Sequence, residues 1–242
     1  MTPHIQVQGS GPDLVLLHGW SMNVAVWRGL ATALARDFRV HAVDLDSFAI
    51  TPAELAAALP ARVTVCGWSL GGQLALAWAQ QFPAQVDRLV LLATTPRFVA
   101  ADDWLHGMTS PEFEEFASEV ADDPPRARMR FLALQATGDA AARLVLRDLR
   151  EAIAAGRTAD AAALASGLAR LRDTDLRPTL AAIAQPALVM HGVNDGVIPH
   201  AAGEYLARVL PQAAFESVAG AGHAFFITRE AAVARSIRTF HE

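Results

Sequence analysis

Three residues in this 242-residue chain have the types and order that could do nucleophilic chemistry, and Ser69 is the first of them. It sits in Gly67-Trp68-Ser69-Leu70-Gly71, a match to G-x-S-x-G. An apolar, β-branched run, RVTVCG, leads in, and a helical pattern, LGGQLALAWAQQF, leads out. Only a very sharp turn joins a strand to a helix in so few residues, and such a turn lifts its serine hydroxyl clear of the sheet edge. Side chains two positions to either side would collide with neighbouring backbone, which accounts for both glycines. The five-residue pattern alone also fits a glycine-rich turn with an incidental serine; the flanking strand and helix favour a nucleophile.

A serine hydroxyl attacks only when a base takes its proton and an acid orients that base. Of eight histidines, His223 in AGAGHAFF follows the last expected strand, AAFESVA, in a glycine-rich loop. There it would reach the C-terminal edge of the sheet. Asp195 in HGVNDGVIP follows the apolar run 187–191 and is closed in by Gly196 and Pro199. An aspartate in a turn is often only a turn former, but the order Ser69, Asp195, His223 makes it the expected acid. The Leu70 N–H, opening the next helix, is one expected oxyanion donor. The Trp20 N–H in LLHGWSMN is the other, with Gly19 letting the backbone turn and the Trp20 side chain walling the pocket. Packing at a strand end is an equally open role for that indole. His18 reads as part of the oxyanion loop and His191 as structural. His4, His41, His106, His200 and His241 read as surface or packing residues.

The elements that must position these residues follow from periodicity. Runs 14–19, 38–45, 62–67, 87–95 and 187–192 are short, β-branched and continuously apolar, the mark of strands buried on both faces of a mainly parallel sheet. Helical patterns at 24–36, 52–59 and 70–81 alternate with the first four, which implies an α/β fold. From 97 to 177 four helical patterns follow one another. The first, TSPEFEEFASEVA, starts with a Ser110 cap, proline at the first helical position and early acids. The next two end at glycines, Gly138 and Gly156, and the fourth runs over 158–172. The chain thus reads as one domain, 1–242, with a core of 1–96 and 178–242 and a helical lid inserted over 97–177.

Composition narrows the class. Apolar residues make up 52% and charged ones 19%, which suits a packed domain rather than a disordered chain. No apolar run is long enough to span a bilayer, and the first residues carry no basic-then-apolar export pattern. One cysteine, Cys66, leaves no internal disulfide and fits a cytoplasmic setting. The net charge of −5 argues against nucleic acid as a partner. All twenty basic residues are arginine, and 126–150 holds six of them against two acids, so this segment is +4 and the remainder −9.

These motifs resemble the α/β-hydrolase superfamily across almost the whole chain. LVLLHGWSMNVAVW, GWSLGG, RFLALQATG, TDLR and DGVIP together resemble the biotin-pathway esterases that act on pimeloyl-[acyl-carrier protein] methyl ester. That resemblance implies a serine carboxylesterase needing neither metal nor cofactor, with an acyl carrier protein as partner; a monomer is expected, although nothing in the sequence fixes the oligomeric state. It implies a substrate pocket of Trp20, Ser69, Leu70, Phe131, Leu132, Ala133, Leu134, Gln135 and His223. It also assigns carrier docking to Arg126, Arg130, Arg143 and Arg147. The spacing agrees, since each pair lies i, i+4 on one helix face, although a solvated face has the same spacing. One departure stands out: DSFAITPAELAAALPARVTV replaces the usual Pro-Gly-x-Gly turn and longer connection, which predicts a short helix and a more open pocket corner. Broad small-ester hydrolysis, cofactor-independent C–C cleavage or lyase chemistry, and non-catalytic ligand binding remain rival uses of the same fold.

Overall fold

A continuously apolar strand is stable only where both of its faces are covered, and the computed structural model shows this arrangement over residues 3–157 and 159–242. The elements are β1 (Ile5–Gln8), β2 (Asp13–Leu17), α1 (Arg28–Leu34), β3 (Arg39–Val43), α2 (Pro52–Ala58), β4 (Val63–Trp68), α3 (Leu70–Gln81) and β5 (Val86–Leu92). There follow α4 (Ser110–Asp122), α5 (Pro124–Ala136), α6 (Ala142–Ala155), α7 (Ala161–Asp173), β6 (Ala187–Gly192), α8 (His200–Val209), β7 (Ala213–Val218) and α9 (Glu230–His241). The seven strands pair in the order β1-β3-β2-β4-β5-β6-β7, with β1 antiparallel to β3 and every other pairing parallel.

Successive strand side chains leave opposite faces, and β2 shows the consequence. Leu14 and Leu16 enter an apolar cluster with Trp27, Leu34, Val233 and Ile237, on the face of α1 and α9. Val15 and Leu17 enter the other cluster, with Leu55, Leu74 and Leu206 of α2, α3 and α8. Helices α4 to α7 lie between β5 and β6 and are tied to loops that follow the strands. Trp20 Nε1 donates to the Leu164 carbonyl at 3.0 Å, Asn23 Nδ2 to the Ala152 carbonyl at 3.1 Å, and Arg170 to the Ile50 carbonyl at 2.7 Å.

Several expectations need correction. The cap of α4 is Thr109, not Ser110; it forms a capping box with Glu112, which moves proline one position into the helix. The segment 24–36 divides into a 3-10 turn, Val24–Trp27, capped by Asn23, and then α1. The helix anticipated from 158 is described from Ala161, capped by Asp160; Thr158 lies outside the described residues. The short connection after β3 does give a short α2, but the corner is not open. Phe48 fills it, 1% exposed and edge-on to His18, while Arg170 donates to the Phe48 carbonyl.

Candidate active site

Ser69 joins β4 to α3 with φ 55 and ψ −120, a conformation that L-residues avoid and that costs about 1–3 kcal/mol. Its surroundings hold it there. The Ser69 N–H donates to the Leu92 carbonyl at 3.0 Å, and its own carbonyl accepts from Thr94 Oγ1 at 2.6 Å and Gly72 N–H at 2.9 Å. A Cβ on Gly67 would run into the Gly71 carbonyl, and one on Gly71 into the Leu17 carbonyl. Both glycines are therefore required by close approach.

The aspartate and histidine loops converge behind this turn. His223 Nδ1 lies 2.8 Å from Asp195 Oδ2, with both side chains almost fully buried. The His223 carbonyl accepts from Trp68 Nε1 at 3.0 Å, and the imidazole packs 5.5 Å from the Trp68 indole, so the residue beside the serine also seats the histidine. Asp195 Oδ1 accepts from the N–H groups of Val197 at 2.8 Å and Ile198 at 2.9 Å. His191, expected to be structural, also reaches the acid: its Nε2 lies 3.0 Å from the Ile198 carbonyl and 3.1 Å from Asp195 Oδ2. Both neighbours are acceptors, so Nε2 carries the proton. Burial alone would push the Asp195 carboxyl up. The His223 charge and the hydrogen bonds from His191 and His223 outweigh that and hold it well below the usual carboxylate range.

Leu70 opens α3, so its N–H is among those a helix leaves without an intrahelical partner. Gly19 does not supply a left-handed turn; that conformation falls on Ser21, at φ 64. Gly19 is needed because a Cβ there would sit 3.2 Å from the Ser69 Cβ, so its absence brings the Trp20 backbone alongside the serine. His18 braces this loop, accepting from Leu45 N–H at Nε2 (2.9 Å), with Nδ1 2.9 Å from the Gly19 carbonyl.

The Trp20 ring lies 5.3 Å from Phe116 of α4 and 5.0 Å from Phe131 of α5. Ser69 is 6% exposed. A cleft of about 610 Å³ runs between α4, α5 and the 195–199 loop, lined by Phe116, Arg130, Phe131, Ala133, Leu134 and Asp195 among others. The five residues 131–135 do not share one direction, because consecutive helical residues fan out by 100°. Phe131 meets Trp20, and Ala133 and Leu134 edge the cleft. Leu132 turns the other way, into the cluster of Val145 and Leu149. Gln135 is 1% exposed, with neither amide atom partnered among the described residues.

A profile of the alpha/beta hydrolase fold matches residues 53–230. The pimeloyl-[acyl-carrier protein] methyl ester esterase of Nitrosomonas europaea is 40% identical over 236 residues, 93% of this chain and 94% of that one. Its namesake from Xanthomonas campestris pv. campestris is 41% identical, covering 98% of both. The chain belongs to the pimeloyl-[acyl-carrier protein] methyl ester esterase family of α/β hydrolases. The fold agrees with an esterase structure from Exiguobacterium antarcticum, TM-score 0.86 at 22% identity, covering 98% of this chain and 94% of that one.

For an esterase of this family the arginines of α5 and α6 take on interest, and the structure divides them. Arg130 is paired with Glu119 at 2.8 Å, and Arg147 with Asp148 at 2.7 Å. Arg126 and Arg143 are exposed and, among the described residues, have no carboxylate in ion-pair range. Met129 and Leu144 are also large apolar side chains exposed on these two helices. Among the described residues no cluster of three or more metal-ligating side chains occurs and no helix is long and apolar enough to cross a membrane.

Proposed function

We propose that this chain hydrolyses the methyl ester of pimeloyl-[acyl-carrier protein] as a serine carboxylesterase in biotin synthesis. The observation that carries the reading is the Asp195–His223 pair, buried behind a serine held at φ 55 on the elbow. Together with the 40% identity to esterases of that name, it supports both the chemistry and the substrate.

In this reading Ser69 Oγ attacks the terminal ester carbonyl while His223 Nε2 takes its proton and Asp195 stabilises the imidazolium at Nδ1. The carbonyl oxygen becomes an oxyanion between the Trp20 and Leu70 N–H groups, where donors fixed by the fold need no reorganisation. His223 then returns the proton to the methoxide oxygen as the ester bond breaks, and methanol leaves. A water molecule, deprotonated by His223, attacks the acyl-enzyme and releases the free carboxylate and Ser69.

The insertion over 97–177 acts as a lid in this scheme, and the cleft between α4 and α5, edged by Phe116 and Phe131, is the approach proposed for the acyl chain. Arg126 and Arg143, the unpaired members of the basic stripes, would meet an acidic carrier protein. The single buried cysteine suits a cytoplasmic enzyme, and we expect a monomer with neither nucleic acid nor membrane as partner. The test is hydrolysis of methyl-pimeloyl carrier protein followed by mass spectrometry. A mass lower by one CH2, as the methyl ester becomes the free acid, is the expected result. No mass change alongside fast hydrolysis of short p-nitrophenyl esters would exclude that substrate.

A further inference from the structure

The turn between α5 and α6 meets both loops that carry the acid and the base. Asn194 Nδ2, beside the acid, donates to the Gly138 carbonyl at 3.0 Å. Asp139, with a side chain 1% exposed, faces the histidine loop. Its Oδ2 accepts from the Gly222 N–H at 3.0 Å and from Arg229 Nη1 at 2.8 Å, and its Oδ1 accepts from the Ala141 N–H at 2.7 Å. Arg229 also reaches the Gly220 carbonyl through Nη2 at 3.0 Å, and the Ala140 N–H donates to that carbonyl at 2.9 Å. The loop is pressed against this turn: a Cβ on Gly222 would sit 2.8 Å from the Thr137 carbonyl oxygen and 3.2 Å from the Asp139 Cβ. A buried carboxylate is tolerated only when its oxygens are paired, and here the pairing draws on the residue directly before His223.

We infer that Asp139 is a positioning residue for His223, holding the histidine loop to the helical insertion through Gly222 and Arg229. The inference rests on His223 being the catalytic base. His223 has two other anchors, the Trp68 indole on its carbonyl and Asp195 on its ring. Those fix its reach towards the sheet and towards the acid. Asp139 fixes the backbone that enters the residue. Without it the Gly222 N–H stays buried without an acceptor and Arg229 loses its counter-charge, so the loop relaxes and the imidazole is less firmly held beside Asp195 and Trp68. The helices that flank this turn carry Arg126 and Arg143, so the contact also joins the proposed docking face to the base.

Asp139→Ala, Asp139→Asn, Arg229→Gln and His223→Ala would be assayed on a short p-nitrophenyl ester, with thermal melts and labelling of Ser69 by a phosphonate. Misplacing a catalytic group by about 1 Å costs up to roughly 10²-fold. Asp139→Ala is therefore expected to lower kcat by about 10- to 100-fold, with KM within about twofold and Ser69 labelling slowed in parallel. Asp139→Asn keeps one acceptor for Gly222 and recovers part of the loss. Should Asp139→Ala not fold, Asp139→Asn and Arg229→Gln are held to the same criterion, a fall in kcat at constant KM. A folded variant with a lower melting temperature but wild-type kcat and labelling overturns the proposal and leaves Asp139 a structural link. An active His223→Ala overturns the base assignment and the proposal with it. An inactive His223→Ala beside a fully active Asp139→Ala overturns the proposal alone.

Discussion

Ser69 holds a backbone conformation that costs energy before any substrate arrives, and the residues around it have little other purpose. Gly67, Gly71 and Gly19 each lack a side chain because another part of the site occupies that space. Such constraints are local in sequence, which is why the serine and its glycines can be read without coordinates. Asp195 and His223 are legible for a related reason: each follows an apolar strand at a chain position where this fold delivers a side chain to the same edge. His191 and Asp139 were not legible as parts of the site. Their contacts with Asp195 and Gly222 depend on loop curvature that leaves no periodic trace. Ser69→Ala is expected to lower kcat by about 10⁴–10⁶ with the fold intact, His223→Ala by a similar factor, and the double variant by little more. Additive losses in steady-state kinetics would point to a different base. Asp195→Asn preserves the shape but favours the wrong imidazole tautomer and should lower kcat by roughly 10³–10⁴. Near-wild-type turnover would move the orienting role to a carboxylate other than Asp195.

Among the elements, capping decided what could be read. The helices α2 and α4 open on capping boxes, Thr51 with Glu54 and Thr109 with Glu112, and sequence places both to within a residue or two. By contrast α8 and α9 open on Pro199 and Arg229 without a side-chain cap, and no sequence signal marked them. The strand β1 escapes a sequence reading because IQVQ is four residues long, mostly exposed and half glutamine. On α5 and α6 the i, i+4 arginine stripes are visible in sequence; the pairing of Arg130 is not, since Glu119 comes from α4, whereas Arg147 meets Asp148 and Glu151 of its own helix. The division sets a prediction. Arg126→Ala and Arg143→Ala should each lower kcat/KM for the carrier-protein ester, and Arg130→Ala and Arg147→Ala should lower it less. A short p-nitrophenyl ester should respond to none of Arg126→Ala, Arg143→Ala and Arg147→Ala, whereas Arg130 also lines the cleft between α4 and α5. Raising salt from ~50 to ~300 mM shortens the Debye length from about 14 Å to about 6 Å and should weaken only the carrier-protein reaction. Equal losses on both substrates would mean that the arginines hold the insertion together rather than dock a partner.

At the scale of the whole molecule, the site is tied into the folding equilibrium through Asp195. The carboxyl is titratable near its ordinary value in the unfolded chain, about 3.9, and is held well below that range in the folded one, where His223 and His191 face it. A depressed folded value means that the unfolded state binds the proton more readily. The stabilisation is therefore complete above about pH 4 and is lost as pH falls from there towards the folded value. Other carboxylates are also held low, among them Glu112 against Thr109 and Asp175 against Arg177, and they contribute a slope of the same sign. Comparison with Asp195→Asn removes that shared background. Urea midpoints measured from pH 7 to pH 2 should show the variant less stable at neutrality and the two curves converging below about pH 4. The acid's ionisation would then stabilise the fold as well as orient the base. Curves that stay parallel through this range would mean that folding does not depress the Asp195 carboxyl. Its charge at neutral pH would then owe nothing to the buried histidines around it.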